Sequence, residues 1–169
     1  MNPALLPPSA NLHASYLDAL REFRAEEPGR GSDIRALAPR RAFARWTADL
    51  RDAARLRPAP ARGVVPYTIL WYADDDHYIG EVQIRHELTD AMRRTGGHIG
   101  YEVRPSARRC GHATRMLALA LPIAHGLGID PALVTCDDTN VASRKVIEAN
   151  GGVPDEPVGV KLRYWVATA

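Results

Sequence analysis

The chain has very little lysine and cysteine, and it has no long apolar run. Lys145 and Lys161 are the only lysines, so arginine supplies nearly all of the positive charge, which indicates a biased genomic composition. Cys110 and Cys136 are the only cysteines. Their number and spacing exclude a disulfide framework and a cysteine-rich zinc site, and they agree with a reducing compartment.

No stretch approaches the roughly 18 apolar residues that a membrane span needs, and the first residues lack the basic and apolar pattern of a signal peptide. A net charge of +2 is too small to favour nucleic acid as a partner. We therefore expect a cytoplasmic protein that binds no metal, membrane or nucleic acid. The length of 169 residues, with 46% hydrophobic and 25% charged residues, predicts a single globular domain over residues 1–169.

Apolar residues at helical spacing predict a helix over residues 12–26 and a second helix that begins at Pro39 and stops before Pro58. A loop is expected over residues 58–63. Residues 67–72 and 78–84 are rich in β-branched and aromatic side chains, which is typical of an antiparallel hairpin. A loop over residues 87–95 and strands over residues 98–103, 132–136 and 160–167 complete a mixed α/β pattern.

Residues 97–113 form the most informative segment, because they combine a strand, a basic turn and the start of an apolar helix. The turn contains Arg108, Arg109 and the small residues Gly111 and Ala113. Backbone N–H groups can therefore approach an anion at the positive end of the helix dipole. This layout predicts a site for an anionic cofactor tail.

Pro122 lies inside the helix that follows this turn, which is expected over about residues 113–125. Proline cannot donate a hydrogen bond to the carbonyl four residues earlier. We therefore expect a kink or an early end of the helix at this position.

The spacing Arg108-x-x-Gly111-x-Ala113 resembles the acyl-CoA pyrophosphate loop of the GNAT superfamily of N-acetyltransferases. The predicted order of strand, loop, helix, strand and a helix opened by Asn140 is similar to that superfamily. Residues 84–88 (Ile-Arg-His-Glu-Leu) and 96–101 (Gly-Gly-His-Ile-Gly-Tyr) resemble a group of predicted bacterial acetyltransferases within it. The resemblance covers nearly the whole chain.

This resemblance implies a mixed, mostly antiparallel sheet of about six to seven strands with a central splayed parallel pair, flanked by about four helices. It also implies acetyl-CoA as co-substrate, with the pantetheine arm held in the gap between the splayed strands. The residues that would hold the cofactor are Tyr101, Glu102, Val103, Arg108, Arg109, Cys110, Gly111, His112, Ala113, Asn140 and Ser143. Asn140 is equally suited to cap its helix. Cys110 lies at a helix N-terminus beside arginines, an environment in which a thiol becomes more acidic. The alternative is that Cys110 is only a small residue that fills the loop.

Acyl transfer to an amine needs a base and a means of stabilising the leaving thiolate. The base candidates are His98 first, His86 second, then Glu102 and Glu81. Histidine suits the role because its ordinary pKa of about 6.5 is close to the working pH. Many GNAT members supply a tyrosine acid seven residues after the asparagine, but Ile147 occupies that position here, which excludes such an acid from this helix.

The resemblance implies direct transfer of an acetyl group from acetyl-CoA to a primary amine of a small molecule or peptide. Two alternatives stay open: a regulatory module that binds acyl-CoA without turnover, and an enzyme that uses a longer acyl group. Exposed strand edges would also allow a homodimer.

Overall fold

The computed structural model describes residues 2–59 and 63–169. Residues 60–62 of the loop expected at residues 58–63 lie outside the described residues. Within the described part of the chain the strands are β1 (Ala4–Leu6), β2 (Tyr67–Asp74), β3 (His77–Arg85), β4 (Ile99–Val103), β5 (Ala132–Asp137), β6 (Val153–Val158) and β7 (Lys161–Val166). The α-helices are α1 (His13–Glu26), α2 (Ile34–Leu37), α3 (Arg40–Asp52), α4 (Asp90–Thr95), α5 (His112–Gly126) and α6 (Val141–Ala149).

The strands form one seven-stranded sheet in the order β1-β2-β3-β4-β5-β7-β6 across the described residues. β4 and β5 run parallel, while each of the other neighbouring pairs is antiparallel. The parallel pair is in register at a single position, Ile99 opposite Val134. These two central strands therefore meet at one end and diverge beyond it, which confirms the mixed sheet with a central parallel pair that the sequence implied.

Each face of the sheet has its own apolar core. On one face, α5 and α6 cover a cluster that includes Val82, Ile99 and Val134. On the other face, α1 and α3 cover Trp71 and Tyr78. Successive side chains of a strand point to opposite faces, so one strand contributes to both cores.

The sequence patterns located five of the strands and the four longer helices, and the structure adds shorter elements. β1 has three residues, and β6 contains Pro154 and Pro157 and lies at the sheet edge, where a missing N–H is tolerated. The expected loop over residues 87–95 contains α4, a single short helix whose Thr89 side chain accepts a hydrogen bond from the Met92 N–H. Neither β1 nor β6 has the alternating pattern that would reveal it.

Of the kink or early end expected at Pro122, the early end does not occur, because the helix continues through this residue to Gly126. Ala118 and Pro122 are both exposed. Water can therefore bind the Ala118 carbonyl that Pro122 leaves without an intrahelical donor, which reduces the cost of proline inside the helix.

Two ion pairs, Glu22 with Arg104 and Glu26 with Arg108, join α1 to the segment that follows β4. The guanidinium of buried Arg104 donates to the Glu22 carboxylate and to the Tyr78 carbonyl. The Ser106 N–H also donates to Glu22, at 2.9 Å. Burial alone would raise the pKa of Glu22, but the hydrogen bonds from Arg104 and Ser106 outweigh it and lower the pKa to about 2. The carboxylate therefore favours the folded chain only while it is ionised.

We expect Glu22→Gln to lower the free energy of unfolding at pH 7 by about 2 kcal/mol, since an acid with a lowered pKa stabilises the fold above its unfolded pKa. The difference should shrink as the pH falls below about 4.5 toward 2, where the wild-type carboxylate becomes protonated. Urea unfolding across this range measures it. Asp18→Asn, which breaks an exposed ion pair with Arg21 on the same helix, is the control and should change stability by less than about 0.5 kcal/mol. Equal effects of both substitutions at pH 7 would contradict the prediction.

Candidate functional site

The loop after β4 and the start of α5 border a cavity of about 410 Å³, here called the cofactor cavity. Ten of the eleven residues expected to hold the cofactor line it: Tyr101, Glu102, Val103, Arg108, Arg109, Gly111, His112, Ala113, Asn140 and Ser143. Cys110 is the exception. It is exposed beside the cavity, and its thiol donates to the Arg108 carbonyl at 3.5 Å.

The backbone of this loop is shaped to surround an anion. Arg109 and Gly111 both have left-handed conformations, with φ of 63° and 77°, and Gly111 is the N-cap of α5. Such a turn directs successive N–H groups to one side at the positive end of a helix. Arg108 has another task, because its side chain donates to the Val103 carbonyl at 3.1 Å and to Glu26 at 2.9 Å. It anchors the loop to α1.

Two hydrogen bonds around His98, here called the clamp, join β4 and β5 at one end, and the strands diverge beyond it. The His98 N–H donates to the Leu133 carbonyl at 2.6 Å, and the Leu133 N–H donates back to His98 Nδ1 at 2.9 Å. A side chain on Gly97 would meet the Leu133 carbonyl at 2.6 Å, so only glycine allows this approach. Beyond Ile99, no residue of β4 is in register with β5, which leaves a gap beside Tyr101, Glu102 and Val103.

His98 is therefore part of the clamp, with its basic nitrogen occupied by a backbone donor. Burial, and then the charges of Arg93 and Arg85, lower its pKa to about 4. His86 contacts Thr68, with 2.8 Å between His86 Nε2 and Thr68 Oγ1, and burial lowers its pKa. The structure places neither histidine in the lining of the cofactor cavity or of the second cavity described below.

Tyr101 and α6 close the far side of the gap. The Tyr101 hydroxyl lies 2.8 Å from Ser143 Oγ, and burial raises its pKa to about 12. Asn140 caps α6 by accepting from the Ser143 N–H at 3.0 Å, as one of its two expected roles requires. Ile147, at the position where the resemblance to GNAT acetyltransferases would lead one to expect a tyrosine, is fully buried in the core.

A second cavity of about 290 Å³ lies on the other face of the sheet, under α1 and α3, and is here called the acceptor cavity after the role proposed for it below. Its apolar wall consists of Tyr16, Leu20, Phe23, Trp46, Leu50 and Ile69, and its polar lining consists of Arg30, Ser32, Glu81 and Glu102, with Gly31 beside them. The sequence patterns assigned five of the wall residues to the apolar faces of the first two long helices, which were expected to shape the acceptor side, and Ile69 to a strand of the hairpin. The one signal of a site was the aromatic enrichment of the faces of α1 and α3 that point to the sheet.

Glu102 lines both cavities, and Glu81 lies directly opposite it on β3. A smaller recess of about 190 Å³ also connects the two glutamates with Tyr101. Arg30 donates to Glu102 at 2.8 Å, so the charge of Glu102 is balanced. Glu81 has no such partner: burial first, and then the charge of Glu102, raise its pKa to about 7. A carboxylate with this pKa accepts a proton readily near neutral pH.

Within residues 2–59 and 63–169, no three His, Cys, Asp or Glu side chains are grouped so that they could bind a metal ion. No described helix combines the length and the apolar character needed to cross a membrane.

Solved structures share the fold at low sequence identity. The microcin C7 self-immunity acetyltransferase MccE, in complex with acetyl-CoA and AMP, has a TM-score of 0.65 at 12% identity, covering 98% of this chain and 92% of its own. RimJ of Mycobacterium smegmatis, in complex with CoA-disulfide, has a TM-score of 0.64 at 20% identity, with 98% and 86% covered. The PaiA N-acetyltransferase of Thermoplasma acidophilum, in complex with coenzyme A, has 0.62 at 14% identity, with 99% of each chain covered.

No curated protein sequence matches the chain significantly. The profile of the acetyltransferase (GNAT) domain family, however, matches residues 17–153. This range includes β2, β3 and β4, which line the two cavities, as well as the loop after β4 and α6. This match and the shared fold agree with the resemblance found in the sequence. The chain belongs to the GNAT acetyltransferase family.

Proposed function

We propose that the protein transfers an acetyl group from acetyl-CoA directly to a primary amine that binds in the acceptor cavity. When bound, acetyl-CoA supplies the acetyl thioester that reacts with the amine. The observation that carries the proposal is that Glu102 lines both cavities while the opposite residue, Glu81, has a pKa of about 7. A proton acceptor therefore lies where the two substrates would meet.

The cofactor cavity fits an anionic, elongated guest. The left-handed turn at Arg109 and Gly111 and the N-terminus of α5 suit the pyrophosphate, and the exposed Arg109 side chain adds a positive charge. Beyond Ile99 the edge of β4 is open toward β5, so its backbone groups can bind an extended arm.

Glu81 is the proposed general base. An amine is protonated in water at neutral pH and must lose a proton before its nitrogen can attack a carbonyl carbon. Glu81 would take this proton, directly or through one water molecule. Its pKa is close to the working pH, so the carboxylate is present and still binds the proton well. His98 and His86 are less suited to act as the base, because neither residue lines either cavity. In addition, His98 Nδ1 already accepts a hydrogen bond.

Tyr101 is the proposed partner of the leaving thiolate. Tyr101 lines the cofactor cavity, and its hydroxyl lies close to Ser143, which is one turn before Ile147 on α6. With a pKa of about 12 it stays protonated and can donate a hydrogen bond to the sulfur as negative charge develops there. Tyr101 on β4 would thus donate the hydrogen bond to the thiolate that α6, with Ile147 in place of a tyrosine, cannot donate.

The acceptor cavity also bears on the two alternatives. A module that binds acyl-CoA without turnover needs no second cavity with a perturbed carboxylate beside the thioester end. A longer acyl group would have to share the acceptor cavity of about 290 Å³ with the amine. Transfer of a short acyl group to an amine uses every part of this arrangement.

Release of free thiol from acetyl-CoA, measured with and without a panel of amines, tests the proposal. We expect amine-dependent release, with kcat/KM falling about tenfold per pH unit below about 7 as Glu81 becomes protonated. Glu81→Gln should reduce kcat/KM by about 10²- to 10⁴-fold and remove this acid limb. Glu87→Gln, exposed just after β3, is the control and should leave the rate and the limb unchanged. Wild-type activity of Glu81→Gln would disprove the role of Glu81, and absence of amine-dependent release would disprove the enzyme.

Glu102→Gln should move the acid limb of the pH profile to lower pH. The substitution removes the negative charge that helps to raise the pKa of Glu81, so the remaining carboxylate ionises more easily. The position of the limb is the measured quantity, because the height of the profile also reflects substrate contacts. A limb that stays at the wild-type pH, or moves upward, would show that the two glutamates are not coupled.

Gly111→Ala should weaken CoA binding several-fold, because a Cβ strains the left-handed N-cap that shapes the pyrophosphate loop. Gly128→Ala is a matched control just beyond the other end of α5, since Gly128 has a φ of 79° and, like Gly111, has open space around an added Cβ. Both substitutions should reduce stability by about 1 kcal/mol, while titration calorimetry should detect weaker CoA binding only for Gly111→Ala. Equal CoA affinities of the two variants would contradict the assigned loop.

A further inference from the structure

One wall of the acceptor cavity is apolar, and three of its six residues, Tyr16, Phe23 and Trp46, are aromatic. Tyr16 stacks on Trp71 with 4.8 Å between ring centroids, and Trp46 packs against Tyr16 at 5.1 Å. Leu20, Phe23, Leu50 and Ile69 complete the wall. At roughly 30 Å³ for each water-sized group, the cavity of about 290 Å³ holds about ten such groups. A small molecule with an apolar body fits against this wall, whereas polar substrate groups directed at Leu20, Phe23 or Leu50 would have no partner there.

The charges of the cavity are confined to one side. Glu81 and Glu102 lie beside each other on β3 and β4, and Trp71 is opposite Glu81 on β2. The indole N–H of buried Trp71 faces Glu81 and favours its ionised form, against the larger effects of burial and of the Glu102 charge. A positively charged nitrogen at this end would meet two carboxylates and the aromatic wall.

Arg30 is the only cation among the described residues that line the acceptor cavity, and carboxylates already surround it. Its Nη2 contacts Glu102 at 2.8 Å and its Nη1 contacts Glu27 at 3.5 Å, while the guanidinium lies 5.1 Å from the centre of the Phe23 ring. A substrate carboxylate would have to displace Glu102 and would then lie close to two negative side chains. The cavity therefore disfavours anionic groups.

Resting on the proposed function, we infer that the acceptor is a small hydrophobic primary amine without a carboxylate, such as an arylalkylamine. Its apolar body fills the space between α1, α3 and β2, and its ammonium group lies at Glu81 and Glu102. Amino acids are disfavoured by their carboxylate. Polyamines and aminoglycosides are disfavoured because a second ammonium would lie against Leu20, Phe23 or Leu50 without a counter-charge.

Matched amines test the inference. Acetyl-CoA thiol release is measured with 2-phenylethylamine, phenylalanine, putrescine, an aminoglycoside and a short peptide with a free N-terminus. We expect kcat/KM for 2-phenylethylamine to exceed that for phenylalanine at least 100-fold and to exceed each of the other three amines. A higher kcat/KM for any of those four would overturn the substrate class and leave the proposed acetyltransferase intact. Turnover with none of the five would count against both proposals.

A charge placed on the apolar wall provides a second test. Leu50→Lys should raise the KM for 2-phenylethylamine at least tenfold with little change in kcat, because Leu50 contacts the body of the substrate and not the reacting nitrogen. Leu56→Lys, at an exposed leucine outside the cavity lining, is the control and should behave like the wild type.

Binding of 2-phenylethylamine without cofactor, followed by thermal shift, should be lost in Leu50→Lys and retained in Leu56→Lys. This measurement does not depend on turnover, so it separates the shape of the cavity from the chemistry. Unchanged KM and unchanged binding in Leu50→Lys would place the amine elsewhere and overturn the inference.

Discussion

The contact between His98 and Leu133 determines the geometry of the site. It joins β4 and β5 through two hydrogen bonds at one end, and Gly97 permits the close approach. Two parallel strands joined in this way along their whole length would leave no backbone groups for a ligand. Because the pairing stops after Ile99, the sheet keeps its stability on both sides, through β3 and β7, and opens only in the middle. The tightly bonded imidazole is thus a structural element of the gap.

The alternation of side chains along β4 separates the two halves of the site. Tyr101 faces α5 and α6 on the side of the cofactor cavity, whereas Glu102 points to the opposite face, toward α1 and Arg30. Two neighbouring carboxylates in a poorly hydrated place cannot both be ionised at low cost. Arg30 balances Glu102, and so the protonation of Glu81 becomes the variable one. The electrostatic asymmetry comes from a loop residue far from both strands in sequence.

Local sequence patterns sufficed for the elements with strong periodicity and for the cofactor loop. The Arg108-x-x-Gly111-x-Ala113 spacing lies on consecutive residues, so its residues stay together in any fold that keeps the turn, and nearly all of the expected cofactor residues share one cavity. The acceptor cavity could not be found this way. Arg30 meets Glu102, and Tyr16 meets Trp71, through contacts that span dozens of residues, and nothing in the local pattern distinguishes a cavity wall from a filled core. His98 was expected as a base on its chemistry alone, whereas its hydrogen bond to Leu133 depends on the strand pairing.

Helix α1 lies across both halves of the site. Tyr16 and Leu20 belong to the wall of the acceptor cavity, and Glu22 and Glu26 hold the segment that connects β4 to α5. Tyr16 and Glu26 are ten residues apart, which at about 1.5 Å per residue is about 15 Å along the axis. A residue inserted between them would turn one end by about 100° relative to the other and break one set of contacts. An insertion within α1 would therefore disturb the alignment of the two halves of the site, whereas substitutions on the face that lines the acceptor cavity would change that cavity and leave the contacts of Glu22 and Glu26 in place.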